Sequence, residues 1–190
     1  MQLALITEGA LLALALLLGW WLRVAEPGWF HVDLRLTILA VAATLPLWVA
    51  MYALNRWPIG PLARLRKIVD ELLIPLFRNC TLLDLAVISL LAGIGEEALF
   101  RGVLQVVATR WLGELAGLVA ASILFGLAHS ITTTYAVLAA LIGLYLGWLF
   151  ALEGNLLLVM AIHALYDFGA LIYLVRWQRA PPGSQLPGEA

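Results

Sequence analysis

The residues of this sequence best suited to chemistry are Glu96, Glu97, Arg101, His129, His163 and Asp167. Each falls inside a long apolar stretch, where an ionisable side chain costs about 2.5–3.5 kcal/mol on insertion scales and needs a reason. Glu97 and Arg101 are i,i+4 on one helix, so they are expected to form a structural ion pair. Glu96 stands about 100° around the helix from Glu97, which offers a carboxylate that is not the arginine's partner. His163 and Asp167 are also i,i+4 and share a face. Taken singly, either histidine reads as a hydrogen-bonded packing residue, and Asp167 as the group that orients His163. Taken together, the set is poor packing material in lipid and good material for activating water. A carboxylate serves as general base, and imidazoles serve as metal ligands or oxyanion stabilisers. Gly93 and Gly95, just before the acidic pair, are expected to leave room for water or a substrate backbone. Asp84 and Glu153 lie near the ends of apolar stretches, where interfacial solvation explains them.

These residues must be positioned by membrane helices. Of the 190 residues 64% are apolar and only 12% charged, with a mean hydropathy of +0.99. That leaves too little polar surface to clothe a water-soluble core. A span needs about 20 apolar residues. Six stretches meet or approach that length: 3–24, 34–54, 82–108, 115–131, 135–152 and 156–175. The first ends in Trp20, Trp21 and Arg23, which suits a retained span anchored at the interface rather than a cleaved leader. Between the second and third, Arg64, Arg66, Lys67, Asp70 and Glu71 interleave with Leu62, Leu65, Ile68, Val69, Leu72 and Leu73. That pattern predicts an amphipathic helix lying in the interface plane. The expected fold class is all-α: a polytopic membrane bundle in one domain over residues 1–180, followed by a disordered tail at 181–190. Gly143 and Gly147 have GxxxG spacing, read as ordinary packing.

Positive residues set the orientation. Arg56, Arg64, Arg66, Lys67, Arg78, Arg176 and Arg179 fall on one side, against Arg23, Arg35 and Arg110 on the other, so both termini are expected in the cytoplasm. Depth does not close so neatly. Glu96 comes out ~21 Å from the cytoplasmic end of its span, His163 ~11 Å from the opposite end, and His129 ~21 Å from that same end. The mismatch of ~10 Å requires a moved boundary, a tilt or a helix break. A net charge of −1 gives no sign of a nucleic-acid partner, and the single cysteine, Cys80, excludes an internal disulfide.

The run Gly95-Glu96-Glu97-Ala98-Leu99-Phe100-Arg101-Gly102 resembles the EExxxR motif of the CAAX-protease and bacteriocin-processing (CPBP, or Abi) family of intramembrane proteases. Phe125-Gly126-Leu127-Ala128-His129 resembles that family's FxxxH motif, and His163-Ala164-Leu165-Tyr166-Asp167 its closing HxxxN or HxxxD. The resemblance spans about residues 56–175 with the motifs in order. It implies hydrolysis of peptide bonds in membrane-associated proteins or peptides by a metallo- or glutamate-dependent endopeptidase. The implied catalytic residues are Glu96, Glu97, His129, His163 and Asp167, with Glu96 as base, Glu97 supporting it and holding Arg101, and His163 facing the scissile carbonyl. A divalent metal such as zinc, held by Glu96, His129, His163 and Asp167, and a metal-free mechanism are both open. Where the eukaryotic pattern has asparagine, residue 167 is aspartate, which when ionised only accepts hydrogen bonds. The implied partners are membrane lipid and a protein or peptide substrate, in a multi-pass protein of the bacterial inner membrane. The alternatives are a small transporter or proton/ion relay using the same polar cluster, and an inactive scaffold or immunity protein.

Overall fold

The computed structural model describes residues 2–24 and 26–177. The expected tail at 181–190 lies outside the described residues. Among the described residues every regular element is helical. In chain order they are α1 (Gln2–Leu22), α2 (Leu34–Arg56), α3 (Pro61–Ile68), α4 (Ile74–Phe77), α5 (Leu82–Glu97), α6 (Val106–Leu112), α7 (Glu114–Ala128), α8 (Thr133–Glu153) and α9 (Leu156–Ile172). The chain is therefore an all-α integral membrane protein. Its outward faces are apolar where lipid must be the solvent: Leu16, Leu17, Ile38, Val49 and Leu141 are all exposed. Trp20 and Trp21 project at the end of α1, as interfacial anchors do.

Four helical runs are long and apolar enough to cross a membrane: Ala4–Leu22, Leu34–Arg56, Thr133–Glu153 and Leu156–Arg176. The other two expected spans differ from simple helices. The third continues from Leu82 to Leu112, but Ala98–Gln105 is π-helical, which breaks the regular i→i−4 ladder around Arg101. The fourth, α7, has only 15 residues, ~22 Å. This difference brings Glu96 level with His129, while His163 still lies seven residues, ~11 Å, into α9 from Leu156. Leu112, not residue 108, ends the third path, so Glu96 lies about 16 residues, ~24 Å, below it. His129, capping the end of α7, comes back to nearly the same level.

Local chemistry sets the boundaries. Asp33, Thr132 and Asn155 each accept a first-turn backbone N–H, from Leu36, Tyr135 and Leu158, and so start α2, α8 and α9. Thr81 and Asp84 form a reciprocal capping box at α5, so Asp84 has a structural job beyond solvation. Glu153 likewise has a partner: a two-pronged ion pair with Arg35 at 2.8 Å ties α8 to α2. Gly154, at φ 58°, closes α8 in the left-handed region.

α3 buries no residue, carries i,i+4 pairs Arg66–Asp70 and Lys67–Glu71, and starts at Pro61, as an interfacial helix should. The core is built around α9, which packs on α5, α2 and α8, while α1 packs on α5 and its π-helical extension. A Cβ on Gly93 would lie 2.7 Å from the Met160 carbonyl oxygen, and one on Gly95 would lie 2.9 Å from that of Glu8. The two glycines thus admit the backbones of α9 and α1, not water or substrate as their place in the sequence suggested.

Candidate active site

Sequence-predicted residues from three separate helical paths converge. Glu97 is fully buried, and its Oε1 accepts from Arg101 Nη1 and from His163 Nδ1, both at 2.7 Å. The expected ion pair is therefore present, and it holds a histidine as well. Arg101 spends a second N–H on the Gly143 carbonyl at 3.1 Å and lies 4.5 Å over the ring of Phe125. Gln105, one turn on, donates to the Gly147 carbonyl at 2.9 Å. Gly143 and Gly147 thus leave space for two polar side chains, which is more specific than packing.

Glu96 points to the other side of the cluster. Its Oε2 lies 3.5 Å from His129 Nε2 and 4.0 Å from His163 Nε2, and has no hydrogen-bond partner. His129 fixes its ring by donating from Nδ1 to the Phe125 carbonyl at 2.8 Å, while stacking on Phe125 with centroids 4.4 Å apart. His163 likewise has Nδ1 against a carboxylate, which can only accept, so its proton stands on Nδ1. Asp167 Oδ2 reaches His163 Nε2 at 3.5 Å. His129 and Asp167 form the accessible rim, with 22% and 29% of their side chains exposed, and the others lie behind it. Beside that rim the α7–α8 turn, Ile131 to Thr134, faces Gly60, Pro61 and Arg64 of the interfacial segment across a cleft of about 530 Å³.

The donor types, two imidazoles and carboxylates, suit zinc. As placed, however, no group of three or more His, Cys, Asp or Glu side chains among the described residues stands where it could hold a metal ion.

Three residues escaped the sequence reading. Glu8 on α1 lies within electrostatic reach of Glu96, His129, His163 and Asp167, with a buried oxygen that has no partner. Tyr135 packs edge-on to His129, with centroids 5.9 Å apart. Tyr166 stands near Tyr135 and Asp167. For Glu8 the only signal was a lone acid in an apolar helix.

Residues 78–169 match the family model described as type II CAAX prenyl endopeptidase Rce1-like. The chain carries a CPBP-family core. No curated protein and no solved structure matches the chain. The matched stretch is similar at family level to a CAAX-protease-like intramembrane endopeptidase, and it contains every clustered residue named above except Glu8. α1 and α2 lie outside the match, yet α1 reaches the cluster through Gly95.

Proposed function

We propose that the CPBP core hydrolyses peptide bonds of a membrane-associated protein or peptide, with Glu96 as the general base. What supports this reading is a convergence of acceptors. With His129 protonated on Nδ1, its Nε2 lone pair turns toward Glu96 Oε2, and neither atom has a hydrogen to give. A water between them has two. It donates one to Glu96 and one to His129, leaving a lone pair aimed at a carbonyl carbon. Attack forms the C–O bond as the proton passes to Glu96; collapse breaks the C–N bond as Glu96 returns that proton to the leaving amine. Glu97 holds His163 and Arg101 in place. Protonated on both nitrogens, His163 donates from Nε2 to the carbonyl oxygen, and Asp167 steadies that cation.

The matched family's description names prenylated CAAX substrates, so a prenylated CAAX peptide is the first substrate to test. The cleft beside Arg64 is the proposed approach from the interface. We propose that both termini are cytoplasmic, on the distribution of Lys and Arg, with a bacterial inner membrane as the proposed location. A second reading rests on the donor types: the side chains, which do not stand as a metal-holding group here, would have to draw together to bind zinc. Glu96, His129, His163 and Asp167 would then hold the ion, which would acidify water and polarise the carbonyl.

The deciding experiment uses full-length protein in liposomes with a quenched fluorescent prenylated peptide, alongside a proteomic search for other substrates in host membranes. Glu96→Gln should keep the fold, because an amide is cheaper to bury than a carboxylate. Turnover should fall by about 10²–10⁴-fold. Cleavage at the wild-type rate by that variant would overturn the assignment.

A further inference from the structure

We infer that Tyr135 is a catalytic residue, donating its phenolic O–H to the carbonyl oxygen as it becomes an oxyanion; this rests on the reading of Glu96 as the base. An acyl-transfer site gains most from donors aimed at the developing charge. Yet the cluster is rich in acceptors and poor in donors. Asp167 when ionised only accepts. Arg101 is sealed beneath Phe125 with its N–H groups on Glu97 and Gly143. His129 has given its Nδ1 proton to Phe125. His163, with one proton on Glu97, has a second to offer only as the imidazolium.

A phenol carries its donor in either state of His163, and one stands at the right place. Tyr135 lies in the first turn of α8, directly after the turn that carries His129. Thr132 Oγ1 accepts its backbone N–H at 3.0 Å, which fixes the helix start and with it the origin of the side chain. The ring meets His129 edge-on, with centroids 5.9 Å apart and planes at 74°. Its phenolic group is within electrostatic reach of Asp167 from α9 and of Glu96 from α5. The ring therefore stands beside His129 at the rim, with the carboxylates of Asp167 and Glu96 near enough to act on its phenol. Tyr166, which precedes Asp167 on α9, is the second phenol close enough to be influenced by Asp167 and Tyr135. Tyr135 supplies the donor that aspartate at 167 cannot.

The test is Tyr135→Phe, in full-length protein in liposomes with the quenched prenylated peptide. The variant keeps the ring against His129 and removes only the O–H. We expect kcat to fall by about 10²-fold, with KM within about twofold and an unchanged unfolding midpoint. Tyr166→Phe, run beside it, should lose less than about fivefold. Glu96→Gln is the reference for the parent reading. If Glu96→Gln is inactive while Tyr135→Phe turns over at the wild-type rate, this assignment falls and the base stands. A larger loss in Tyr166→Phe than in Tyr135→Phe also overturns it. If Glu96→Gln is fully active, both readings fall together.

Discussion

Glu97 Oε1 lies 2.7 Å from His163 Nδ1, so the second glutamate of the acidic pair, not Asp167, holds the histidine on α9. The same oxygen accepts from Arg101, which makes Glu97 a clasp between two helical paths. The consequence is that the two adjacent glutamates should fail differently. Glu97→Gln should lower the unfolding midpoint in detergent, because it leaves Arg101 as a buried cation without a counter-charge, a loss on the order of 3–5 kcal/mol. Glu96→Gln should leave the midpoint in place. Equal midpoints for the two variants would refute the division of labour.

Arg101→Ala breaks the same pair from the other side. It strands the carboxylate of Glu97 and removes the cation from the Phe125 ring. Loss of stability should again be on the order of 3–5 kcal/mol, read as reduced yield and a lower midpoint. Unchanged thermal stability would show that the pair has no structural role.

Gly93 tests the packing of α5 on α9 without touching a charge. Its missing Cβ would meet the Met160 carbonyl oxygen at 2.7 Å and the Ala164 amide nitrogen at 2.9 Å, both backbone atoms that cannot swing away. Gly93→Val should therefore cost at least about 1–3 kcal/mol, measured by thermal unfolding in detergent. A midpoint at the wild-type value would mean that the helices do not cross so closely.

Glu8 predicts the opposite sign of effect. Its buried oxygen has no partner, so Glu8→Gln should unfold at or above the wild-type temperature, since the amide is less costly to bury. Turnover should change by less than about tenfold, far less than in a variant that loses its general base. Inactivity of a stable Glu8→Gln would move Glu8 into the chemistry itself.

Metal dependence is separable from these effects. Under the glutamate-and-histidine mechanism, purified protein should contain no stoichiometric zinc by elemental analysis. Chelation should leave turnover within about twofold. If activity is lost on chelation and restored by zinc alone, the ion belongs to the site, and water activation is shared with it.

The membrane fold and most of the site were legible along the chain. Apolar runs of spanning length are a strong signal because lipid forbids unpaired backbone, and ionisable residues within them stand out by their cost. Glu97–Arg101 was readable from spacing alone, since i,i+4 residues meet on any helix. The clasp of Glu97 on His163 was not, because nothing in spacing says how two helices rotate against each other. Gly93 and Gly95 were visible as absent bulk, but only packing determined that α9 and α1 fill the space. The π-helical stretch at 98–105 carries the third path on to Leu112 and the shortness of α7 sets the depth of His129, and both depend on hydrogen bonding that apolar periodicity does not encode. Glu8, Tyr135 and Tyr166 lie outside the motif positions; tertiary contact alone brings them to the cluster. The sequence by itself determined which groups must be buried in the membrane; the tertiary structure decided which of them face one another, because side-chain identity sets the cost of burial and helix packing sets the partner.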